Sequence, residues 1–515
     1  MSEKTIIYND DGWSTYMRSP APMSADRIVR RTVGPVAGTA VRVYQFCALG
    51  GHAVNYNSTF LPRVGEMMDA IDTMHVWRMR ETLRALEAEG TDPLHVVSRA
   101  CRQHDIDCQF SLRMNDAHHT YRKRDGSWYF PELQSPWLDE HPELLLDNRT
   151  LDYAQPAVHQ YRQRQIREIL DRYEHVAGID LDFTRFQPWF RPGHQEAGRP
   201  LMTQLIRDLR AITRQAGRTL SARFEYDPHA VIASGLDVET WLDERLLDQI
   251  TLGVTGDHAP DSPSRWWIDR AHRAGCRVFP GIEGQLHWIA SCGTGGAGLH
   301  PGNGVEDGFG PPSMPYMRAV AANHYADGAD GLSLFNFTCA DGPFPRETFT
   351  ELAEPSAMAF GDKQYVAAVW PSDHQIYQSH WTSRFRLAPD EPRAAYPLRI
   401  ADDLPEAQRR DLAPSAVLTL DLMGLNAIDD VEIHVNDVPL AWNGDLYNHY
   451  DHGGWNDVVR FDAPTAALRQ GENAVTIHRL KDNPGFSGNI EVRKCVLEIR
   501  YRRTFCPGTI QPPAG

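Results

Sequence analysis

The stretch His175–Phe186, HVAGIDLDFTRF, decides how the chain is read. Gly178 closes a helical pattern, after which Ile179, Leu181 and Phe183 alternate with Asp180 and Asp182. A period of two is that of a strand, and here it lines two carboxylates along one face. Carboxylates are not buried unless they are paired or hydrogen-bonded. Two of them closing an apolar strand point to a cleft in which ionisable groups do chemistry.

Working outward, similar short runs recur, each followed by a helix-like pattern, and the alternation favours parallel sheet over hairpins. They are Thr5 to Asn9, Val41 to Cys47, Cys108 to Met114, Gly178 to Phe183, Leu220 to Tyr226, Gln249 to Val254, Arg277 to Ile282 and Gly331 to Phe337. Pro156 opens a helix carrying Val158, Tyr161, Ile166, Ile169, Leu170 and Tyr173, and Met202, Leu205, Ile206, Leu209 and Ile212 mark the next. Asp92 before Pro93 and Ser262 before Pro263 read as helix caps. Eight such repeats predict an α/β fold, a (β/α)8 TIM barrel over residues 1–354. A doubly wound sheet is the alternative, but no GxGxxG follows the first strand. Residues 355–515 change character, with runs at Ala416 to Leu422, Val431 to Val435, Ala474 to Leu480 and Val496 to Tyr501 and no long amphipathic helix. They predict a linker and a β-sandwich domain.

Composition narrows the partners. A net charge of -16 over 515 residues gives no basic face for nucleic acid. No apolar run approaches a membrane span and the start has no signal-peptide core, so the expectation is a cytoplasmic protein without a membrane partner. The eight cysteines lack CxxC spacing, which supports neither zinc nor a disulfide framework. His118, His119, His52, His258 and His287 show no HExxH spacing, so no metal and no cofactor are expected.

Outward strand positions facing the helices should be apolar, which identifies the inward ones. On strand three these are Gln109, Ser111, Arg113 and Asn115; on strand four Asp180 and Asp182; on strand five Arg223 and Glu225; on strand seven Glu283. Carboxylates and arginines then converge at the C-terminal mouth, where barrel enzymes keep their sites. Glycoside hydrolysis uses two carboxyl groups, and crowding separates their pKa values so that they take different roles. The catalytic candidates are Asp182, Glu225 and Glu283. Asp180, Arg113, Asn115, Asp116, His118, Arg185, Arg223, Asp11, Tyr44, Trp288 and Asn336 are the candidate substrate-binding residues. Arginines there orient the carboxylates or bind an acidic sugar. Two long loops flank the mouth. One runs from Asn115 to Ala154 and holds MNDAHHTY; the other, from Gly284 to Pro312, is the glycine-rich CGTGGAGLHPGNG. Each reads equally as a lid or as a loose insertion.

A family resemblance adds to this. SLRMNDAHHTY, HPELLLDNRTLDYAQPAVHQYR, GIDLDFTRF and FEYDP together resemble predicted glycoside hydrolase-like barrel proteins, distantly similar to the α-amylase superfamily. DVEIHVNDVPL and GENAVTIHRL resemble galactose-binding-like sandwich modules, which often brace a barrel without binding sugar. The resemblance implies a nucleophile at Asp182 and an acid/base at Glu225, with Glu283 nearest to that superfamily's third carboxylate. Asp180 stands where that pattern has Arg, so the arginine beside the nucleophile would come from Arg113 or Arg223. A different barrel clan would pair Asp182 with Glu283, and the sequence leaves both pairings open. The expected function is hydrolysis of a short oligosaccharide or glycoside by a retaining mechanism, with carbohydrate as partner and homo-oligomer formation left open. The alternatives are a non-catalytic glycan-binding protein and a metal-dependent lyase or isomerase on the same barrel.

Overall fold

The computed structural model describes residues 4–17, 19–47, 52–253, 264–283, 286–287, 309–310, 312–337, 345–368, 386–451, 454–481 and 488–502. Eight parallel strands close a barrel: β1 (Thr5–Asp10), β2 (Val41–Cys47), β3 (Asp107–Arg113), β4 (Val176–Asp182), β5 (Thr219–Phe224), β6 (Gln249–Leu252), β7 (Arg277–Glu283) and β8 (Gly331–Phe335). They follow one another around the cylinder, and β8 returns to β1 in register from Thr5 opposite Gly331. Each expected strand is present.

Helices follow the strands. Asp92 accepts from the His95 amide at 2.8 Å and caps α1 (Pro93–Gln103), as its sequence predicts. The Ser262–Pro263 pair lies outside the described residues. Pro156 opens α2 (Pro156–Arg172), and α3 (Gln195–Gln215) buries Met202, Leu205, Ile206, Leu209 and Ile212. One expectation is corrected here. The helical pattern stops at Arg172 and Gly178 lies inside β4, because a Cβ there would stand 2.0 Å from Thr219 Oγ1 on the neighbouring strand.

The barrel interior is layered. Ile7, Val43 and Phe279 form an apolar plug. A polar layer follows, in which Asn9 donates to Gln45 at 2.8 Å and Gln45 and Gln249 both donate to Gln109 Oε1 at 3.1 Å. Such groups are tolerated in the interior because each finds a partner there. Residues 115–154, after β3, form a packed layer of short helical turns rather than a loose insertion. Leu133, Leu138, Leu144 and Tyr153 are buried in it, and Trp137 stacks on Tyr161 at 4.1 Å. Of the second long loop, the pair Leu286–His287 and Phe309–Gly310 is described.

The C-terminal part holds two antiparallel sheets. One runs β9 (Lys363–Ala368), β16 (Ile490–Arg500), β11 (Ser415–Met423), β14 (Gly454–Ala463), β13 (Ala441–Asp451); the other is built from β10 (Arg393–Ile400), β15 (Gly471–Arg479) and β12 (Val431–Val435). Leu398, Leu418, Leu420, Ile433, Ile477 and Leu497 from both sheets share one apolar cluster. At its edge Lys363 is buried with Asp402 at 2.8 Å, and Tyr365 and Tyr501 donate to the same carboxylate.

Helix α4 (Met314–Asp327) joins the two parts. Asp327 receives both terminal nitrogens of Arg399, at 2.5 and 2.6 Å, and the Ser264 hydroxyl at 2.8 Å. Ser264 also meets His324 Nδ1 at 2.9 Å, and Tyr226, beyond His324, exchanges hydrogen bonds with the Gly281 backbone. No helix among the described residues is long and apolar enough to cross a membrane.

Candidate active site

The mouth is built upward from the polar layer. Asp180, fully buried, accepts from Ser111 at 2.8 Å and from Ser221 at 2.9 Å, one hydroxyl on each oxygen. Burial and then the Asp182 charge push it up to about 6, against the serines and Arg223. Expected to touch substrate, Asp180 instead supports the layer above, because both its oxygens are taken and no solvent reaches it.

Asp182 is two residues further along the same face. Its Oδ1 accepts from the Thr184 amide at 2.9 Å and hydroxyl at 2.6 Å, while Oδ2 faces Arg185 Nε at 3.4 Å and Arg223 Nη1 at 3.9 Å. Burial alone would raise this acid, but Arg223, Arg185 and the Thr184 bonds hold it below its ordinary value. The other terminal nitrogen of Arg223 donates to Glu283 Oε1 at 2.8 Å. Glu283 is pushed up to about 7 by burial, with the Asp182 charge adding to it and Arg223 and Arg185 opposing. One guanidinium thus touches two carboxylates of different acidity.

Glu225 follows β5 and is half-buried. It too is pushed up to about 7, by burial and then by Asp227, whose carboxylate caps the next helix. It makes no hydrogen bond or ion pair among the described residues.

On the β3 side, Arg113 donates to Asp116 Oδ2 at 2.7 Å, and Asp116 Oδ1 accepts from the His118 amide at 2.9 Å and faces its Nδ1 at 2.7 Å. Despite burial, His118 and Arg113 hold Asp116 well below the usual carboxylate range. The His118 ring stands edge-on to Phe186 at 5.0 Å and Phe130 at 5.6 Å. Across the mouth Asn336 donates to Asp11 Oδ2 at 3.0 Å and accepts from the Asp11 amide at 3.0 Å. Asn336 has φ 58°, a left-handed conformation that Asn tolerates better than most residues.

Two further expectations are corrected. Asn115 is buried, with its amide nitrogen on Pro188 O at 3.2 Å and its oxygen on the Leu151 amide at 3.0 Å, so it stitches loops together rather than meeting a sugar. Tyr44 is fully buried and packs on Tyr8 at 5.2 Å. Gln45 takes the inward position on β2, which turns Tyr44 toward the helices, where its hydroxyl binds Asp10 at 2.5 Å. Trp288 lies outside the described residues, as does His258. Among the described residues no group of three or more His, Cys, Asp or Glu is arranged to hold a metal ion.

Three contributors were not anticipated. Thr184 clamps Asp182; Phe335, paired with Glu283 in the sheet, has Arg223 over its ring at 4.5 Å and Arg185 at 5.0 Å. Cys47 ends β2 among Arg113, Arg185, Asp182 and Asp11, and burial pushes its thiol up to about 11. Inward alternation on β2 and β8 points to both Cys47 and Phe335.

No family model matches the chain, and no curated protein matches it. Solved structures do. Catalytic domain 2 of the Ostrinia furnacalis Group II chitinase is 14% identical, with 69% of this chain and 97% of that chain covered at a TM-score of 0.41. A chitinase from Chromobacterium violaceum is 12% identical, with 68% and 98% covered at 0.38. A GH138 enzyme targeting pectin rhamnogalacturonan II is 10% identical, with 65% and 35% covered at 0.37.

Proposed function

We propose that the chain is a glycoside hydrolase that cleaves a short oligosaccharide or glycoside by a retaining, two-carboxylate mechanism. The observation that carries this reading is the Arg223 guanidinium shared by Asp182 and Glu283, one carboxylate held ionised and the other raised to about 7. Two carboxylates on one guanidinium fit the roughly 5–5.5 Å of retaining enzymes better than the wider gap that admits a water. Asp182 attacks the anomeric carbon while Glu283 gives its proton to the departing oxygen. Glu283 then takes a proton from water, the water oxygen bonds to the anomeric carbon, and the bond to Asp182 breaks. Glu225, without a hydrogen bond or ion pair among the described residues and raised to about 7, is the second candidate acid and corresponds to the pairing the family resemblance implies. In this reading the protein works in the cytoplasm on imported sugars.

Aryl glycosides of graded leaving-group acidity test the roles. Asp182→Asn should abolish turnover of all of them. Glu283→Gln should cost about 10²–10⁴-fold on poor leaving groups and little in the first step on good ones. If Glu225→Gln shows that pattern instead, Glu225 is the acid; full activity of Asp182→Asn removes the mechanism.

A further inference from the structure

The mouth gathers more guanidinium than two carboxylates need. Arg113, Arg185 and Arg223 end or follow three consecutive strands, and each is more than nine-tenths buried. Arg113 uses one terminal nitrogen on Asp116, and its Nε, buried, has no hydrogen-bond acceptor among the described residues. Arg223 uses one terminal nitrogen on Glu283, and its buried Nη1, 3.9 Å from Asp182, likewise lacks an acceptor within hydrogen-bonding distance. A buried donor left unmade is costly, and a charged one more so. Three further acids of this region have their oxygens engaged elsewhere. Asp116 is taken by Arg113 and His118, Asp180 by two serines, and Asp11 faces Asn336 and the Trp13 amide at 3.0 Å. When Glu283 holds the proton that a general acid must carry, its partner Arg223 also loses a full counter-charge.

We propose that the substrate of this mouth is a sugar bearing a carboxylate, a uronic acid residue, whose carboxylate fills the open donors of Arg113 and Arg223. The inference rests on the reading of the mouth as a sugar-hydrolysing site. A planar carboxylate matches the guanidinium fork, and its charge is what separates it from the hydroxymethyl group of the corresponding neutral sugar. Phe335, beneath the Arg185 and Arg223 planes, fixes the fork from below.

Matched pairs of 4-nitrophenyl glycosides, alike in ring configuration and differing only in a carboxylate or hydroxymethyl group at C5, test this in both anomeric series. The uronides should be favoured by about 10- to 100-fold in kcat/KM, the worth of a charged hydrogen bond. Arg113→Gln should collapse that ratio mainly through KM, and Arg113→Lys should restore part of it. Calorimetry of the wild-type protein with methyl uronosides and methyl hexosides keeps the two readings apart. Uronoside binding without turnover of any glycoside supports the inference and overturns the hydrolase reading. Turnover of neutral glycosides with no uronide preference overturns the inference alone, and absence of both binding and turnover overturns both.

Discussion

Replacing Arg223 by Met keeps the unbranched apolar stem and removes the guanidinium that faces both Asp182 and Glu283. Unit charges 4 Å apart attract by about 4 kcal/mol at an effective dielectric of 20, and breaking a buried pair costs about 3–5 kcal/mol because a charge is left alone. The pH decides how much of that is felt. Asp182 has a folded pKa below its ordinary value, so its contribution is present above the unfolded value and lost as pH falls through the folded one. Glu283, raised to about 7, destabilises as pH climbs toward that value, since the folded chain keeps a proton the unfolded chain has released. Without Arg223 both folded pKa values rise, and the region in which stability falls with pH widens upward. The variant should lose about 1–2 kcal/mol at pH 5, where both acids can take protons, and about 3–5 kcal/mol at pH 8. Urea titrations of both proteins at the two pH values read this directly. An equal loss at pH 5 and pH 8, or one under about 1 kcal/mol at pH 8, refutes the reasoning.

Three other perturbations test the mouth and the C-terminal cluster. A Cβ on Gly253 would stand 2.9 Å from Arg223 Nη2, so Gly253→Ala should push the guanidinium off Glu283, lowering kcat/KM at least about tenfold while costing less unfolding free energy in urea titrations than Arg223→Met, because the cation stays in the mouth. The kcat/KM profile should fall above about 7 as Glu283 loses its proton, and Glu283→Gln should erase that limb while Glu225→Gln leaves it in place; the reverse result assigns the limb to Glu225. Lys363→Met should cost about 3–5 kcal/mol in thermal or urea unfolding by removing the cation beside Asp402, and adding Asp402→Leu should not recover the loss, because the Tyr365 and Tyr501 hydroxyls then lose their shared acceptor.

The barrel was legible because its strands alternate between apolar faces turned to the helices and polar positions turned inward. The same rule found Arg113, Asp182, Arg223 and Glu283. It failed where a residue of the right chemistry stood on the wrong face or beyond the strand. Tyr44 has the chemistry of a subsite residue, but Gln45 beside it occupies the inward position, and Asn115 continues the alternation of strand three, but β3 stops at Arg113. In the C-terminal part, β10 was missed because Pro397 interrupts it, which an edge strand tolerates. β13 gives no alternation to read, because the run from Trp442 to Leu446 is exposed at every position. The long segment after β3 gave no periodic signal either, since its buried leucines are spaced by short turns rather than by one regular element.

The chain of contacts from Arg399 through Asp327, Ser264 and His324 to Tyr226 bears on how this protein could have been assembled in evolution. Cutting the barrel away from its companion would leave Asp327, inside the helix layer, with the largely exposed Arg265 as its remaining guanidinium. It would also disturb the tyrosine that grips the backbone two residues before Glu283. A cassette that can be swapped between hosts does not put a buried counter-ion in its neighbour. The expected consequence is that the two parts are kept together, and that a substitution at Arg399 is answered by one at Asp327, which an alignment of related chains would check.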